Sequence, residues 1–284
     1  MRSNEFSKPH PLHTISINSF AFRTLETSIM AEFHPLRSYN QPTSLDAFNK
    51  DALERAKNGA SADMPFMGHL KMKDYSAVYE PSDDTFLLLD GLLLALEEET
   101  RPEQGYTTVE IGCGTGVPTV YLASELQQRY PDQEHIHHVT DINPVALQIA
   151  QETALANAVG PLNTHLCDLA SGILDSLEQK VDILIFNPPY VPTPDEEVGG
   201  TGIEASWAGG IHGRRVVDRA IPQIPRLLKK PNGVAFIITV DDNKPVELQT
   251  MFAACGLEML PWVRRRVCNE YLCVQRIRWM ANDD

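Results

Sequence analysis

The feature that most restricts the fold is a regular alternation of short, β-rich apolar runs with helical segments along residues 107–255. A strand, a helix and a second strand in succession form a parallel pair, so this alternation predicts a parallel sheet with helices on both faces. The predicted strands of this region are 107–111, 137–142, 164–167, 181–186 and 234–240. The predicted helices are 85–99, 116–129, 144–158, 214–228 and 245–255.

Two further predicted strands, 259–267 and 271–277, follow each other with only a few residues between them. Such a short connection allows only an antiparallel hairpin. We therefore expect an α/β fold with a doubly wound, mainly parallel seven-stranded sheet that ends in an antiparallel hairpin. Sheets of this kind bind ligands outside the carboxyl ends of their strands.

Residues 1–70 differ from the rest of the chain. They contain scattered prolines and no sustained periodicity, which predicts a disordered or weakly helical extension with one short helix at 44–57. The sequence leaves open whether this extension is a transit peptide, a disordered tail or the product of an upstream start. Residues 71–284 are predicted to form one Rossmann-like domain.

The chain is acidic, with 24 Lys and Arg against 38 Asp and Glu and a net charge of −14. An acidic body repels a phosphate backbone, so free nucleic acid is an unfavourable partner. The five cysteines form no CxxC pair and no zinc-type spacing, which indicates a reducing compartment and no metal site. We expect the cytoplasm, with the nucleus as a second compartment. No apolar run reaches about 18 residues, so no membrane partner is expected.

A glycine turn, formed by Gly112, Gly114 and Gly116, follows the first predicted strand and opens a helix. Glycines at alternate positions permit a tight turn and a close approach of a ligand to the backbone. Taken alone, the pattern fits a simple tight turn as well as a binding site.

Acidic residues follow the second and third predicted strands. Asp141 is placed to accept hydrogen bonds from the hydroxyls of a ribose, and Asp168 from an adenine amino group, with the Leu169 backbone N–H beside it. Each acid alone would also fit a helix cap, but Asn143 directly precedes Pro144 and competes better than Asp141 for that cap. The three strand ends together indicate a nucleoside pocket. Since the chain has no Gly-Lys-Ser/Thr phosphate loop, the predicted cofactor is S-adenosyl-L-methionine, a nucleoside without phosphates.

The fourth predicted strand runs directly into Asn187-Pro188-Pro189-Tyr190, called here the NPPY turn. Two prolines fix the backbone and remove two N–H donors, so the turn offers mainly the acceptor oxygens of the Asn187 side chain and the Pro188 main chain. Two rigid acceptors hold an –NH2 group with its lone pair directed away from them, and Tyr190 can stack on a flat amide or base. The turn therefore predicts methyl transfer to a planar nitrogen, and its structural alternative is a polyproline turn that merely ends a strand.

The glycine turn, Asp141 and the NPPY turn, in this order, resemble the HemK/PrmC family of release-factor glutamine methyltransferases. Two further segments, 78–90 and 202–210 with the Gly213-Arg214 pair that follows, resemble its eukaryotic HemK2-type branch. The similarity covers residues 72–279 and leaves the first 70 residues outside it.

The resemblance implies a class I S-adenosylmethionine-dependent methyltransferase that methylates N5 of the glutamine in the GGQ loop of the class 1 translation termination factor. It leaves protein lysine open as a further substrate. It also implies a heterodimer with a small zinc-binding activator of the Trm112 type, which pairs with a sheet edge. We expect that contact at the 136–142 strand or at a neighbouring edge.

Site residues are carried over from the family by position. The resemblance assigns cofactor contacts to Thr85, Glu110, Gly112, Gly114, Asp141, Asp168, Leu169 and Asn187. It assigns substrate binding to Asn187, Pro188, Pro189 and Tyr190, and catalysis to Asn187, Pro188 and Tyr190. The loop at 196–213 would lie over the substrate, Trp207 would pack there or in the core, and Tyr79 and Glu80 would help to close the site.

Two alternatives remain open from the sequence. An adenine-N6 DNA or RNA methyltransferase uses the same Asn-Pro-Pro-Tyr chemistry, but it needs a basic groove and a base-flipping pocket. Arg264-Arg265-Arg266 is one candidate for a phosphate contact, and the alternative interpretation of this run is a solvated strand end. A non-catalytic nucleoside-binding protein of the same fold is the second alternative.

Overall fold

The computed structural model describes residues 62–98, 104–200, 202–268 and 270–281. Most of the predicted extension at 1–70, including the predicted helix at 44–57, lies outside them. The strands are β1 Thr107–Ile111, β2 Ile136–Asp141, β3 Asn163–Leu166, β4 Ile183–Phe186, β5 Val234–Val240, β6 Leu257–Val267 and β7 Glu270–Trp279. The α-helices are α1 Asp83–Glu98, α2 Val117–Arg129, α3 Pro144–Ala156, α4 Arg215–Ala220, α5 Ile224–Leu227 and α6 Pro245–Ala254.

The seven strands form one sheet in the order β3-β2-β1-β4-β5-β7-β6. Strands β1 to β5 pair in parallel, and β7 runs antiparallel to both β5 and β6. The predicted fold class, a mainly parallel seven-stranded sheet with a C-terminal antiparallel hairpin, is confirmed. The strand order reverses between β1 and β4, which is the point where sheets of this type bind ligands.

The core lies on both faces of the sheet, and β4 shows why. Its residues alternate between faces, so Ile183 and Ile185 pack with α1 and α2, while Leu184 and Phe186 pack with α4, α5 and α6. All four side chains are buried, and burial of each contributes roughly 1.5–3 kcal/mol to folding. The strand is therefore fixed from both sides, and so is the turn that follows it.

One predicted element is wrong in detail. The predicted helix at 214–228 is two short helices, α4 and α5, separated by a turn at 221–223. Proline lacks an N–H, and its ring clashes with the carbonyl of the residue four positions earlier. Pro222 therefore ends α4, whereas Pro225 is tolerated in the first turn of α5.

Of the two places expected for the activator contact, the 136–142 strand is not a sheet edge. Strand β2 has β1 on one side and β3 on the other, so its backbone groups are paired along both sides. The edge at this end of the sheet is the neighbouring strand, β3. None of the helices in the described ranges combines the length and the apolar character that a membrane crossing requires.

Candidate active site

A cavity of about 430 Å³ opens at the carboxyl ends of β1, β2 and β4. It brings together all of the residues assigned to cofactor binding, substrate binding or catalysis except Pro188, and it does not include Glu80. Those that line it are Thr85, Glu110, Gly112, Gly114, Asp141, Asp168, Leu169, Asn187, Pro189 and Tyr190. Pro188 is buried and is not among the lining residues, so the role of its carbonyl as a second acceptor stays a prediction.

Two residues of the glycine turn, Gly114 and Gly116, have different structural roles. Gly114 has a left-handed backbone with φ of 51°, and a Cβ added to it would meet no heavy atom within 4 Å, so the space beside it is open to a ligand. Gly116 has φ of 75°, and its added Cβ would lie 2.7 Å from Ala150 Cβ on α3. Gly114 therefore leaves room in the cavity, while Gly116 permits the close packing of α2 against α3.

Asp141 joins the end of β2 to the glycine turn. Its Oδ2 accepts a hydrogen bond from the Gly114 N–H at 3.0 Å, and its Oδ1 accepts one from the Asn143 N–H at 2.9 Å. Asn143 caps α3 through its Oδ1, which accepts from the Val145 N–H at 2.9 Å, as expected. Burial raises the pKa of the Asp141 carboxyl. The carboxylate thus fixes the turn and still has lone pairs for a ligand.

Glu110, the fourth residue of β1, is buried beneath the glycine turn. Its Oε2 accepts hydrogen bonds from the Thr119 N–H at 3.0 Å and from the Thr119 hydroxyl. Burial outweighs these bonds and raises the pKa of the Glu110 carboxyl to about 8. Glu110 is therefore largely protonated near neutral pH when no ligand is bound.

Asp168, at the end of β3, does not cap a helix. No helix follows Asp168, because residues 167–180 form turns. The Asp168 carboxylate instead accepts a hydrogen bond from the Arg219 guanidinium, and both residues line the cavity. Leu169 is buried with φ of 53°. Arg219 was not predicted, since the sequence gives no sign that α4 reaches the tip of β3.

Asn187 and Tyr190 are tied to Asp84, which sequence analysis did not single out. Asn187 Nδ2 donates to Asp84 Oδ2 at 3.1 Å, and the Tyr190 hydroxyl donates to the same oxygen at 3.2 Å. Asn187 Oδ1 is buried and has no hydrogen-bond partner. Burial, followed by the charge of Asp84, raises the pKa of the Tyr190 hydroxyl, so it remains a donor. In the sequence, Asp84 only stands directly before the predicted helix at 85–99.

The loop at 196–213 closes the other side of the cavity. It contains short 3₁₀ turns, at Asp195–Glu197, Ile203–Ser206 and Ile211–Gly213. Asp195 ties its two ends together, because its carboxylate accepts from the Ile211 N–H at 3.0 Å and from the Arg215 guanidinium. Trp207 lines the cavity and is 39% exposed, so it belongs to this loop surface and not to the core.

Known proteins share this architecture and much of this sequence. Residues 90–199 match the family model of the methyltransferase small domain. Methyltransferase HEMK2 of Homo sapiens is 42% identical over 210 residues, which are 74% of this chain and 94% of that protein. This chain belongs to the HemK2-type methyltransferase family. The eRF1 methyltransferase catalytic subunit mtq2 of Schizosaccharomyces pombe is 32% identical over 230 residues, which are 77% of this chain and 96% of that protein.

A solved structure agrees with this HemK2-type assignment. The Mtq2-Trm112 complex of E. cuniculi, described as responsible for methylation of the eRF1 translation termination factor, contains a chain that is 25% identical to this one. The match has a TM-score of 0.50 and covers 72% of this chain and 99% of that chain. The HemK2-type chain is thus a methyltransferase, and its cofactor is S-adenosyl-L-methionine.

The strand ends of this HemK2-type methyltransferase fit that cofactor. Gly114 leaves a cradle that a Cβ would fill, and the Asp141 carboxylate stands beside it with spare lone pairs for hydroxyl donors. Two acids at the strand ends, Asp141 and Asp168, suit a ligand that carries a positive sulfonium.

Proposed function

We propose that this chain methylates the side-chain amide nitrogen, N5, of the glutamine in the GGQ loop of a class 1 translation termination factor. The observation that carries the proposal is Asn187 Oδ1, a buried acceptor without a partner on a residue that lines the cavity. A buried acceptor left unpaired costs free energy, and a ligand that supplies a donor removes that cost. The –NH2 group of a glutamine side chain supplies such a donor.

The residues of the NPPY turn position the reacting nitrogen. Asn187 Oδ1 accepts one N–H of the substrate amide, and the Tyr190 ring, held by its hydroxyl bond to Asp84, offers a flat surface to the amide plane. When bound, S-adenosylmethionine supplies an electrophilic methyl group on sulfur. Asn187 Oδ1 would hold the amide nitrogen in position to receive that methyl group, and the proton that the nitrogen gives up would leave to water.

The names of the relatives support the same substrate. The Schizosaccharomyces pombe relative is named as an eRF1 methyltransferase subunit, and a relative from Methanocaldococcus jannaschii, 31% identical over 194 residues, is named as a putative protein N5-glutamine methyltransferase. We place the reaction in the cytoplasm, where translation terminates, with the nucleus as a second compartment. Lysine is a further substrate to be tested, because an amine nitrogen offers N–H donors to the same acceptor.

A small activator of the zinc-binding Trm112 type is the proposed partner, and β3 is its proposed docking edge. The side chain of Leu166 on β3 is 61% exposed. Ile136, the first residue of β2, and Ile142, which follows β2, are also exposed. The opposite edge, β6, is less suited to a partner. Arg264 and Arg265 on β6 form ion pairs within the chain, and α6 packs against this strand.

Co-expression tests the proposed reaction. The chain, the activator and the termination factor are produced together, and peptides of the termination factor are analysed by mass spectrometry. We expect one added methyl group on the GGQ glutamine, and none when Asn187→Ala replaces the wild-type chain. Peptides in which the glutamine is replaced by glutamate control for methylation elsewhere.

The same assay distinguishes the alternatives. Transfer to DNA or RNA in place of the termination factor would show an adenine-N6 enzyme and refute the proposal. No observation in the described residues favours that outcome, since Arg264 and Arg265 of the basic run are paired with Asp241 and Asp90. Transfer to lysine as well as to glutamine would widen the substrate range without contradicting the proposal.

A further inference from the structure

The carboxylate of Asp84 lies where the first turn of α1 meets the NPPY turn. The residue is 3% exposed, and its Oδ2 accepts hydrogen bonds from Asn187 Nδ2 and from the Tyr190 hydroxyl, at 3.1 and 3.2 Å. One oxygen atom therefore holds the two polar side chains of the NPPY turn, although they lie more than 100 positions further along the chain.

This carboxylate decides which way the Asn187 amide faces. The two ends of an Asn amide are similar in shape, and rotation by half a turn exchanges its oxygen with its NH2 group. An ionised carboxylate accepts hydrogen bonds but donates none, so it binds the NH2 end and repels the oxygen end. Asn187 Oδ1 is thereby kept away from Asp84 and remains an unpaired, buried acceptor.

Asp84 is itself held on its other oxygen. Oδ1 accepts from the Thr85 N–H at 2.6 Å and from the Tyr79 hydroxyl at 3.3 Å. The first turn of a helix also favours a negative charge, because its N–H groups carry partial positive charge. The carboxylate is thus fixed before a substrate arrives, which is the condition for an effective positioning group.

We propose that Asp84 is a positioning residue for methyl transfer, which directs the Asn187 amide oxygen towards the substrate nitrogen and holds the Tyr190 ring in place through its hydroxyl. The inference rests on the proposed function of Asn187 as the acceptor for that nitrogen. It assigns Asp84 an effect on the transfer step and little effect on the binding of S-adenosylmethionine. If Asp84 only stabilised the first turn of α1, its substitution would instead lower the stability of the fold and the affinity for the cofactor together.

The test compares D84N with D83N in the full chain co-expressed with the activator. D84N replaces an acceptor by an NH2 donor of almost the same shape, opposite the donors of the NPPY turn. D83N makes the same change one residue earlier in α1, on an exposed side chain. We expect D84N to lower kcat by about 100-fold while the dissociation constant for the cofactor changes by less than about threefold. D83N should change both quantities by less than about twofold.

A paired exchange provides a rescue experiment. N187D alone brings two carboxylates together and should lose activity to a similar extent as D84N. In D84N/N187D the amide at position 84 donates to the carboxylate at position 187, whose second oxygen then faces the cavity. We expect this double variant to recover about tenfold in kcat over either single variant, because two positions that act through one contact are not additive.

The outcomes are separable. Wild-type kcat in D84N, or an equal loss in D83N, would overturn the inference. If D84N fails to fold, the comparison of N187D with D84N/N187D tests the inference instead. A double variant whose kcat is no higher than that of N187D would overturn the inference. A wild-type complex that methylates a lysine or an adenine in place of glutamine would refute the proposed function, but D84N compared with wild type on that substrate would still decide the role of Asp84.

Discussion

At the scale of single residues, the protonation of Glu110 links the cofactor site to the stability of the fold. Burial raises the pKa of this carboxyl from about 4.5 to about 8. Between these values the folded chain holds a proton that the unfolded chain has lost, so an increase in pH favours unfolding. The stability gained from this proton is complete below pH 4.5 and disappears as the pH rises through about 8.

Glu110→Gln should therefore weaken the dependence of stability on pH. The amide is neutral at every pH, so the fall in the unfolding midpoint of the purified protein between about pH 7 and about pH 8.5 should be smaller than in the wild type. In this range His137 and His138, whose pKa values burial lowers to about 4, are mostly neutral. Glu152→Gln, on an exposed side chain of α3, is the control and should keep the wild-type slope. If the unfolding midpoints of wild type and Glu110→Gln depended on pH to the same extent, the raised pKa assigned to Glu110 would be contradicted.

The residues that sequence analysis predicted are those whose chemistry is local. The glycine turn, Asp141 and Asn187 each follow a strand directly, and a parallel sheet brings such strand ends to one edge. Asp84 and Arg219 were missed because their roles depend on side chains far along the chain, Asn187 and Asp168, and no short-range pattern reports such a contact. Pro188 was predicted as a site residue for its main-chain carbonyl; it does not line the cavity, and the role of that carbonyl stays a prediction.

At the scale of elements, the order of the strands in the sheet could not be predicted from the sequence. Alternating apolar runs predicted all seven strands and the final hairpin, because burial of a parallel strand leaves a continuous apolar pattern. The same pattern does not say which strand lies at an edge, so the expected activator contact was left at β2 or a neighbouring edge, and the edge is β3. The broken helix at 214–228 was also missed, although Pro222 and Pro225 carry a local signal for it.

The β3 edge carries a testable prediction about the partner. Leu166→Asp places a charge on an exposed apolar side chain of β3 and should reduce co-purification of the activator by at least about tenfold, since burial of an unpaired charge opposes docking. Val246→Asp on α6, where the valine is 57% exposed beside the opposite edge of the sheet, is the matched control and should retain the activator. Equal retention by both variants, measured by affinity capture and quantified on gels, would exclude β3 as the docking edge.

At the scale of the whole molecule, cofactor binding should stabilise the folded chain as a unit. A ligand at a hundredfold excess over its dissociation constant adds about 2.7 kcal/mol of stability, which corresponds to a rise of about 5–10 °C in Tm for a domain of this size. We expect this shift with S-adenosylmethionine and none with NAD, because the glycine turn has the pattern Gly-x-Gly-x-Gly and not the Gly-x-Gly-x-x-Gly of dinucleotide-binding sites. Asp141→Asn should remove at least half of the shift. Differential scanning fluorimetry with both ligands measures it, and an equal shift with NAD would contradict the nucleoside site.

The two sides of the cavity are built from different kinds of backbone. The cofactor side rests on the tips of β1, β2 and β4, whereas the opposite side is the loop at 196–213, made of short turns and glycines and fastened by Asp195. Loops tolerate exchange far better than buried strands. The loop should therefore be exchangeable without loss of the cofactor site. Replacing it by the corresponding loop of a relative with another substrate should change the substrate specificity of the enzyme and leave its affinity for the methyl donor unchanged.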